Sequence, residues 1–336
     1  MGNLTKYAFL ILPSLNRVYY ESSKELAIAE LRILSKHFSN KIELIKLSEI
    51  AGLPYVTFHS SGLLDSDIAI ISNHSTLYAL YEMKENNLLK PILLDKRDVF
   101  DDDLISIQKY MGKTNEYFTK FLLNVTISSS EFYDLKKLKI LDPMCGRGTT
   151  MLQALMYGHD SAGIEIHKNL FTSFEAFIKS YMKAKRLKHK FQLFKKKNQL
   201  LMEAAASKQD YKEKKLLRLS ITNADTIECE KIFPKNNFHC IVVDLPYGVQ
   251  HGTTLNSSLK RSPLALLKQV APGWIRSLKS GGCLGISWNT NTCPREVMIK
   301  TLEETGVEIF DSNDYQSFSH RVDQAVMRDI IIAKKV

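Results

Sequence analysis

Asp142, Gly146 and Gly148 in ILDPMCGRGTT (140–150), and Asp244, Leu245, Pro246 and Tyr247 in IVVDLPYG (241–248), have types and spacing that could do chemistry. Each group follows an apolar run of strand character. The first run would end in a tight Gly146-x-Gly148 turn that lets backbone approach a nucleotide-like ligand, as in open α/β sheets. The second would place a carboxylate, a fixed backbone carbonyl and an aromatic ring at the same sheet edge. A cofactor cradle and a pocket for a planar base would then adjoin. Taken singly, each motif also fits a plain turn, with Pro246 stopping a strand and Tyr247 covering the core. The glycines make neither a P-loop, since no Gly-Lys pair is present, nor a dinucleotide fingerprint, which needs a third glycine.

Order along the chain favours the ligand reading. Thr149 to Tyr157 has apolar residues at helical spacing and stops at Gly158. Ser161 to Ile166 (SAGIEI) follows as a short strand carrying Glu165 at the end of the second strand, where ribose hydroxyls are usually met. Leu219 to Asp225 (LSITNAD) is a third strand, and Asp225 there could accept from an adenine amino group.

These residues resemble the amino-methyltransferases with an Asp/Asn-Pro-Pro-Tyr motif, and are most similar to the tRNA guanine-10 N2-methyltransferase family. DPMCGRGT looks like that family's cofactor turn and DLPYG like its catalytic turn, with Leu245 in place of the first proline. The segments YMGKTNEYFTKFLLN (110–124) and HRVDQAVMRDIIIAKK (320–335) resemble its lead-in and closing strand. The resemblance covers about residues 108–336 and implies S-adenosylmethionine as cofactor and RNA, above all tRNA, as partner. It implies that Asp142, Pro143, Cys145, Gly146, Gly148 and Thr149 form the cofactor turn. Glu165, Ile166, Ala224, Asp225 and Asp244 would complete that site, while Asp244, Leu245, Pro246 and Tyr247 would hold the base. Some family members need a small activating protein partner. Only about 110 residues precede the catalytic part, so the family's usual acceptor-end module is either absent or reduced here.

An exocyclic amino nitrogen is a weak nucleophile because its lone pair is delocalised into the base. Hydrogen bonds to the Asp244 carboxylate and the Leu245 carbonyl would favour a more pyramidal, more reactive nitrogen, with Tyr247 stacking on the base. Such a reaction needs no metal. Cys145 could suggest a nucleophile, but in the cofactor turn it reads as a small packed side chain. His251 reads as a loop histidine beside the catalytic turn. Two other readings stay open: a DNA adenine or cytosine amino-methyltransferase, and an inactive RNA-binding protein of the same fold.

The elements that position these residues follow from periodicity. With 336 residues, 44% of them apolar, the chain can bury two moderate cores. The expected fold class is α/β: a seven-stranded Rossmann-like methyltransferase domain preceded by a small ferredoxin-like α+β domain. The expected boundaries are 1–95 for the amino-terminal domain, 96–107 for an acidic linker and 108–336 for the catalytic domain. In the first part, strands are expected at Tyr7 to Leu12, Lys41 to Leu47, Tyr55 to His59 and Lys90 to Leu94. Helices are expected at Ser23 to Phe38, capped by Ser22 or Ser23, and at Asp65 to Met83. Later come a helix over Pro263 to Leu278 interrupted near Pro272, a turn at Gly281-Gly282 and a closing antiparallel pair.

Five cysteines without CxxC spacing point to a reduced, cytoplasmic protein without structural zinc. The opening residues lack the basic cluster and long apolar core of a targeting segment, and no stretch is long enough to span a membrane. Charge is uneven. Between Lys183 and Arg218 stand 13 Lys/Arg and only three acidic residues, so this segment alone equals the chain's net charge of +10. Interleaved with Phe191 and Phe194, the run fits either a solvated face or a surface that attracts the phosphates of a polyanion such as RNA.

Overall fold

The computed structural model describes residues 4–14, 17–110, 112–246 and 263–336. The chain divides into two compact units, Met1–Arg97 with Asp311–Ile330 and Asp98–Phe310 with Ile331–Val336. The stretch 311–330, expected in the catalytic domain, therefore groups with the amino-terminal residues.

The first unit holds an antiparallel sheet of β1 (Thr5–Ile11), β2 (Ile42–Ile50), β3 (Leu53–Ser60), β4 (Leu77–Met83) and β5 (Leu89–Ile92), in the order β2-β3-β1-β4-β5. Tyr7, Phe9, Val56, Phe58 and Leu80 are buried within it and face helix residues Ala27 and Leu31. Two expectations are corrected. The helix starts at Arg17, so Ser22 and Ser23 do not cap it. Their hydroxyls bond back to Val18 O and Tyr20 O, which makes serine tolerable inside a helix. The stretch from Asp65 to Met83 is helical only over Asp65–Ile71, after which Leu77–Met83 becomes a strand. Asp67 fixes the start of that helix by accepting from Leu64 N at 3.0 Å.

The second unit is built on β6 (Lys139–Asp142), β7 (Asp160–Glu165), β8 (His189–Phe194), β9 (Gln199–Ala204), β10 (Leu217–Asn223), β11 (Phe238–Asp244), β12 (Leu278–Asn289) and β13 (Val307–Ile309). With β15 (Met327–Lys335) they run β13-β15-β12-β11-β6-β7-β10-β9-β8; β14 (His320–Arg321), whose residues group with the first unit, pairs with Met327 and Arg328 of β15, which group there too. Among the described residues the sheet therefore has nine strands on this path, with β14 beside it, where seven were expected; two of the extra strands are the hairpin β8-β9 contributed by the basic segment. Strands β10, β7, β6, β11 and β12 pair in parallel, and β9 and β13 pair antiparallel with β10 and β15.

The near-continuous apolar run FHCIVV of β11 is buried throughout, as a parallel strand covered on both faces requires. One core gathers Ile241, Val243, Leu284 and Ile286 around the fully buried Trp274 and Trp288. Each indole N–H finds a partner: Trp274 donates to Thr226 Oγ1 at 2.9 Å and Trp288 to Cys293 O at 2.8 Å. A further core sets Met151, Leu155 and Phe174 against Leu219 and Ile221. Burying side chains of this size stabilises by roughly 1.5–3 kcal/mol each before chain entropy is counted.

The expected linker is part of this core. Phe100 and Leu104 are buried, the latter on a short helix, and Lys185 bridges Asp101 and Asp103. Pro272 lies inside the continuous helix Pro263–Ser277, and β12 passes straight through Gly281 and Gly282. The register between β11 and β12 shifts there, so the glycines serve an irregularity rather than a turn. Among the described residues no helix is long and apolar enough to cross a membrane. All five cysteines are buried free thiols.

Candidate active site

The parallel strands end together at Asp142, Glu165, Asn223, Asp244 and Asn289, so the sheet's carboxyl edge gathers the polar residues. Such edges are where open α/β sheets bind ligands. After β6 the chain folds back over β7, Cys145 N donating to Ile164 O at 3.0 Å. Gly163 permits this approach. A Cβ there would lie 2.3 Å from Met151 Sδ and 2.7 Å from Cys145 Sγ. Gly148 then caps the helix Thr149–Met156 in the left-handed conformation, φ 79°.

Two cavities open along this edge. One of about 490 Å³ is lined by Asp142, Cys145, Gly146, Thr149, Asp244, Leu245 and Pro246, and also by Tyr110, Thr114 and Arg147. A second of about 280 Å³ is lined by Pro143, Glu165, Ile166, Ala224, Asp225, Thr226 and Pro246. Met144 and Pro246 border both, so the two share a wall. All the proposed site residues except Gly148 and Tyr247 line one or the other. Gly148 shapes the turn from behind, and Tyr247 and His251 lie outside the described residues.

Burial dominates the electrostatics. It pushes the Asp142 carboxyl up to about 7, against hydrogen bonds from Met144 N and Thr150 and with further push from Asp244. Glu165 is raised by burial too. Its two oxygens accept from Gly146 N at 2.9 Å and His167 N at 2.6 Å, so this carboxylate clamps the turn to the end of β7. Asp225 Oδ1 accepts from Ile227 N at 3.0 Å and caps the next helical turn. Cys145 is no nucleophile here, since burial drives its thiol well above the ordinary range.

Three contributors were missed in the sequence. Thr114 Oγ1 donates to Asp244 Oδ2 at 2.8 Å, and Ser287 Oγ donates to Asp244 Oδ1, so two hydroxyls fix the carboxylate. Leu245 N donates to Ser287 O at 2.9 Å and pins the following peptide. Thr114 is placed by its neighbour, because Asn115 caps the helix Glu116–Ser129 through Tyr117 N and Phe118 N. Arg147 packs its guanidinium 4.6 Å from the Tyr110 ring centroid, and its buried Nε has no hydrogen-bond partner among the described residues.

These groups fit S-adenosylmethionine. Arg147 offers a donor for a carboxylate, Asp142 suits an ammonium or sulfonium, and Glu165 and Asp225 suit hydroxyl and amino donors.

Residues 134–296 match the family described as RMKL-like, methyltransferase domain. No curated protein matches the sequence. Among solved structures, the chain is similar to TrmN from Thermus thermophilus, at 11% identity over 99% of this chain and 100% of that one, TM-score 0.46. It is also similar to the precorrin-6y C5,15-methyltransferase from Geobacter metallireducens, at 13% identity over 71% and 98%, TM-score 0.39. A TehB-like S-adenosylmethionine-dependent methyltransferase from Corynebacterium glutamicum aligns at 15% identity over 59% and 80%, TM-score 0.31. Likenesses at these scores carry nothing about substrate. Residues 134–296 thus form a methyltransferase domain, and its cofactor is S-adenosylmethionine.

Proposed function

We propose that this protein transfers a methyl group from S-adenosylmethionine to an exocyclic amino group of a base in RNA, with guanine N2 in tRNA as the leading substrate. One observation carries the reading. Asp244 and Leu245 line the same cavity as Asp142 and the glycine turn, so an amino-holding pair lies next to the cofactor residues.

S-adenosylmethionine, when bound, would supply a methyl carbon attached to a positively charged sulfur, a good leaving group. The protein's task is alignment. Asp244, held by Thr114 and Ser287, accepts one amino N–H and takes up the proton that the methylated nitrogen releases. The Leu245 carbonyl accepts the other N–H, and the bond from Leu245 N to Ser287 O orients that peptide. A leucine serves in place of proline here because only its carbonyl is used. The target base must leave its stack, which is least costly in a loop, bulge or junction. The basic excess of the chain suits a polyanion, and resemblance to the tRNA enzymes selects RNA.

The test is transfer of labelled methyl to unmodified tRNA, with ribosomal RNA and DNA in parallel and Asp244→Ala as control. N2-methylguanosine in tRNA, lost in the variant, supports the reading. Label confined to DNA, or undiminished transfer by Asp244→Ala, overturns it.

A further inference from the structure

The basic segment between Lys183 and Arg218 is split by the sheet into two separate groups. Strand β9 pairs antiparallel with β10, with Gln199 opposite Thr222, and Phe194 of β8 lies opposite Gln199. The turn between β8 and β9 therefore falls at the carboxyl ends of the parallel strands. The rest of the segment falls at the other edge, because His189 pairs with Ala204 and Ala204 with Leu217. Six residues of strand separate the two groups, about 20 Å.

The two groups differ in charge balance. Glu203, Asp210 and Glu213 all belong to the amino-edge group, where Glu203 pairs with Arg218 and Glu213 with Lys215. The carboxyl-edge turn consists of Lys195, Lys196 and Lys197, all exposed, with no acidic residue and no ion pair among the described residues. The turn is also held in place. Asn198 closes it in the left-handed region, φ 46°, and its carbonyl accepts from Asn223 N at 2.9 Å. Asn223 in turn donates through Nδ2 to Glu165 O at 2.7 Å and Ile166 O at 3.0 Å. Three cations thus stand on a turn tied by hydrogen bonds to the strand ends that line the second cavity.

We infer that Lys195, Lys196 and Lys197 form a contact point for the phosphates of the RNA substrate, on the same sheet edge as Asp244. The inference rests on the proposed function. Four strand steps from β11 to β9 put the turn about 20 Å from Asp244, roughly half a helical turn of duplex. A nucleic acid that delivers a base to Asp244 can lay its backbone across the strand ends and reach the turn, whereas the amino-edge lysines face away from that path. Contacts of this kind set register and orientation and leave the choice of base to the pocket.

The experiment uses the full chain and tRNA, with binding followed by fluorescence anisotropy across salt concentrations. Lys195→Gln/Lys196→Gln/Lys197→Gln is compared with Lys212→Gln/Lys214→Gln/Lys215→Gln, and S-adenosylmethionine affinity by calorimetry reports that each variant is folded. Losing three phosphate contacts lowers the slope of log K against log salt by about 2 to 3. That drop in the first variant, a slope within about 0.5 of wild type in the second, and unchanged cofactor affinity in both are the expected result. An unchanged slope in the first variant, or an equal drop in both, overturns the inference while leaving the proposed function intact. Wild-type protein that binds cofactor but no RNA overturns both.

Discussion

Thr114 Oγ1 donates to Asp244 Oδ2 at 2.8 Å across 130 residues of chain. A hydroxyl on the segment before the helix Glu116–Ser129 thus sets the orientation of a carboxylate at the end of β11.

Thr114→Val removes a hydrogen bond to a charged acceptor, worth about 1.5–3 kcal/mol. The expected result is a fall in kcat of roughly ten- to a hundredfold, with S-adenosylmethionine affinity within about twofold of wild type and recovery in Thr114→Ser. Single-turnover methyl transfer makes the measurement. Wild-type turnover in Thr114→Val rules out a role for this hydroxyl.

The pH dependence of cofactor binding follows from Asp142. Its folded-state value of about 7 lies above the ordinary carboxylate range, so the folded protein keeps a proton that the unfolded chain has released. This group's contribution to stability is present in full below about pH 4 and lost as pH rises through about 7. A cationic ligand in the cavity favours the ionised form and expels the proton. Calorimetric titration with S-adenosylmethionine at pH 6, in buffers of different ionisation enthalpy, is expected to report release of close to one proton. Release fades above pH 8 and disappears in Asp142→Asn, and proton-neutral binding at pH 6 contradicts the assignment.

Glu165→Gln tests the clamp. Glutamine keeps one acceptor but turns its amide N–H groups towards either Gly146 N or His167 N, leaving that donor unpaired at a cost of about 1–3 kcal/mol. Cofactor affinity should fall roughly ten- to a hundredfold. The urea midpoint should fall as well. A variant that binds cofactor normally shows that the turn stands without the clamp.

Gly148→Ala places a Cβ 2.4 Å from Phe174 Cε2 at a residue with φ 79°. The combined strain and overlap should cost about 3 kcal/mol of unfolding free energy. Replacing Phe174 by leucine in the same chain should return part of it, a coupling that a double-mutant cycle in urea detects. Strict additivity of the two changes removes the steric explanation.

The acidic residues at the ends of the parallel strands were legible because each closes an apolar run of strand length, and a run of that kind brings its last residue to the sheet edge. Thr114 and Ser287 were not, since neither has a local pattern that sets it apart. Each acquires its role only when the fold brings it to Asp244. The segment from Lys183 to Arg218 was read through its charge, which concealed a hairpin. In HKFQLF and QLLMEA the alternation is partly obscured, and only pairing with β10 defines it. The strand Leu77–Met83 was missed for a similar reason, because LYALYEM is rich in good helix formers and its pairing with β1 outweighs that preference.

The position of β15 governs how this protein is made. It lies between β12 and β13 in the sheet but follows both in the chain, so β13 has no neighbour to pair with until residues 333–335 exist. During synthesis the cofactor edge can assemble from β6, β7, β10, β11 and β12, while one flank of β12 stays open as the ribosome translates the next 37 residues, 290–326. For that interval the nascent chain carries an uncovered apolar strand edge, the kind of surface that chaperones bind.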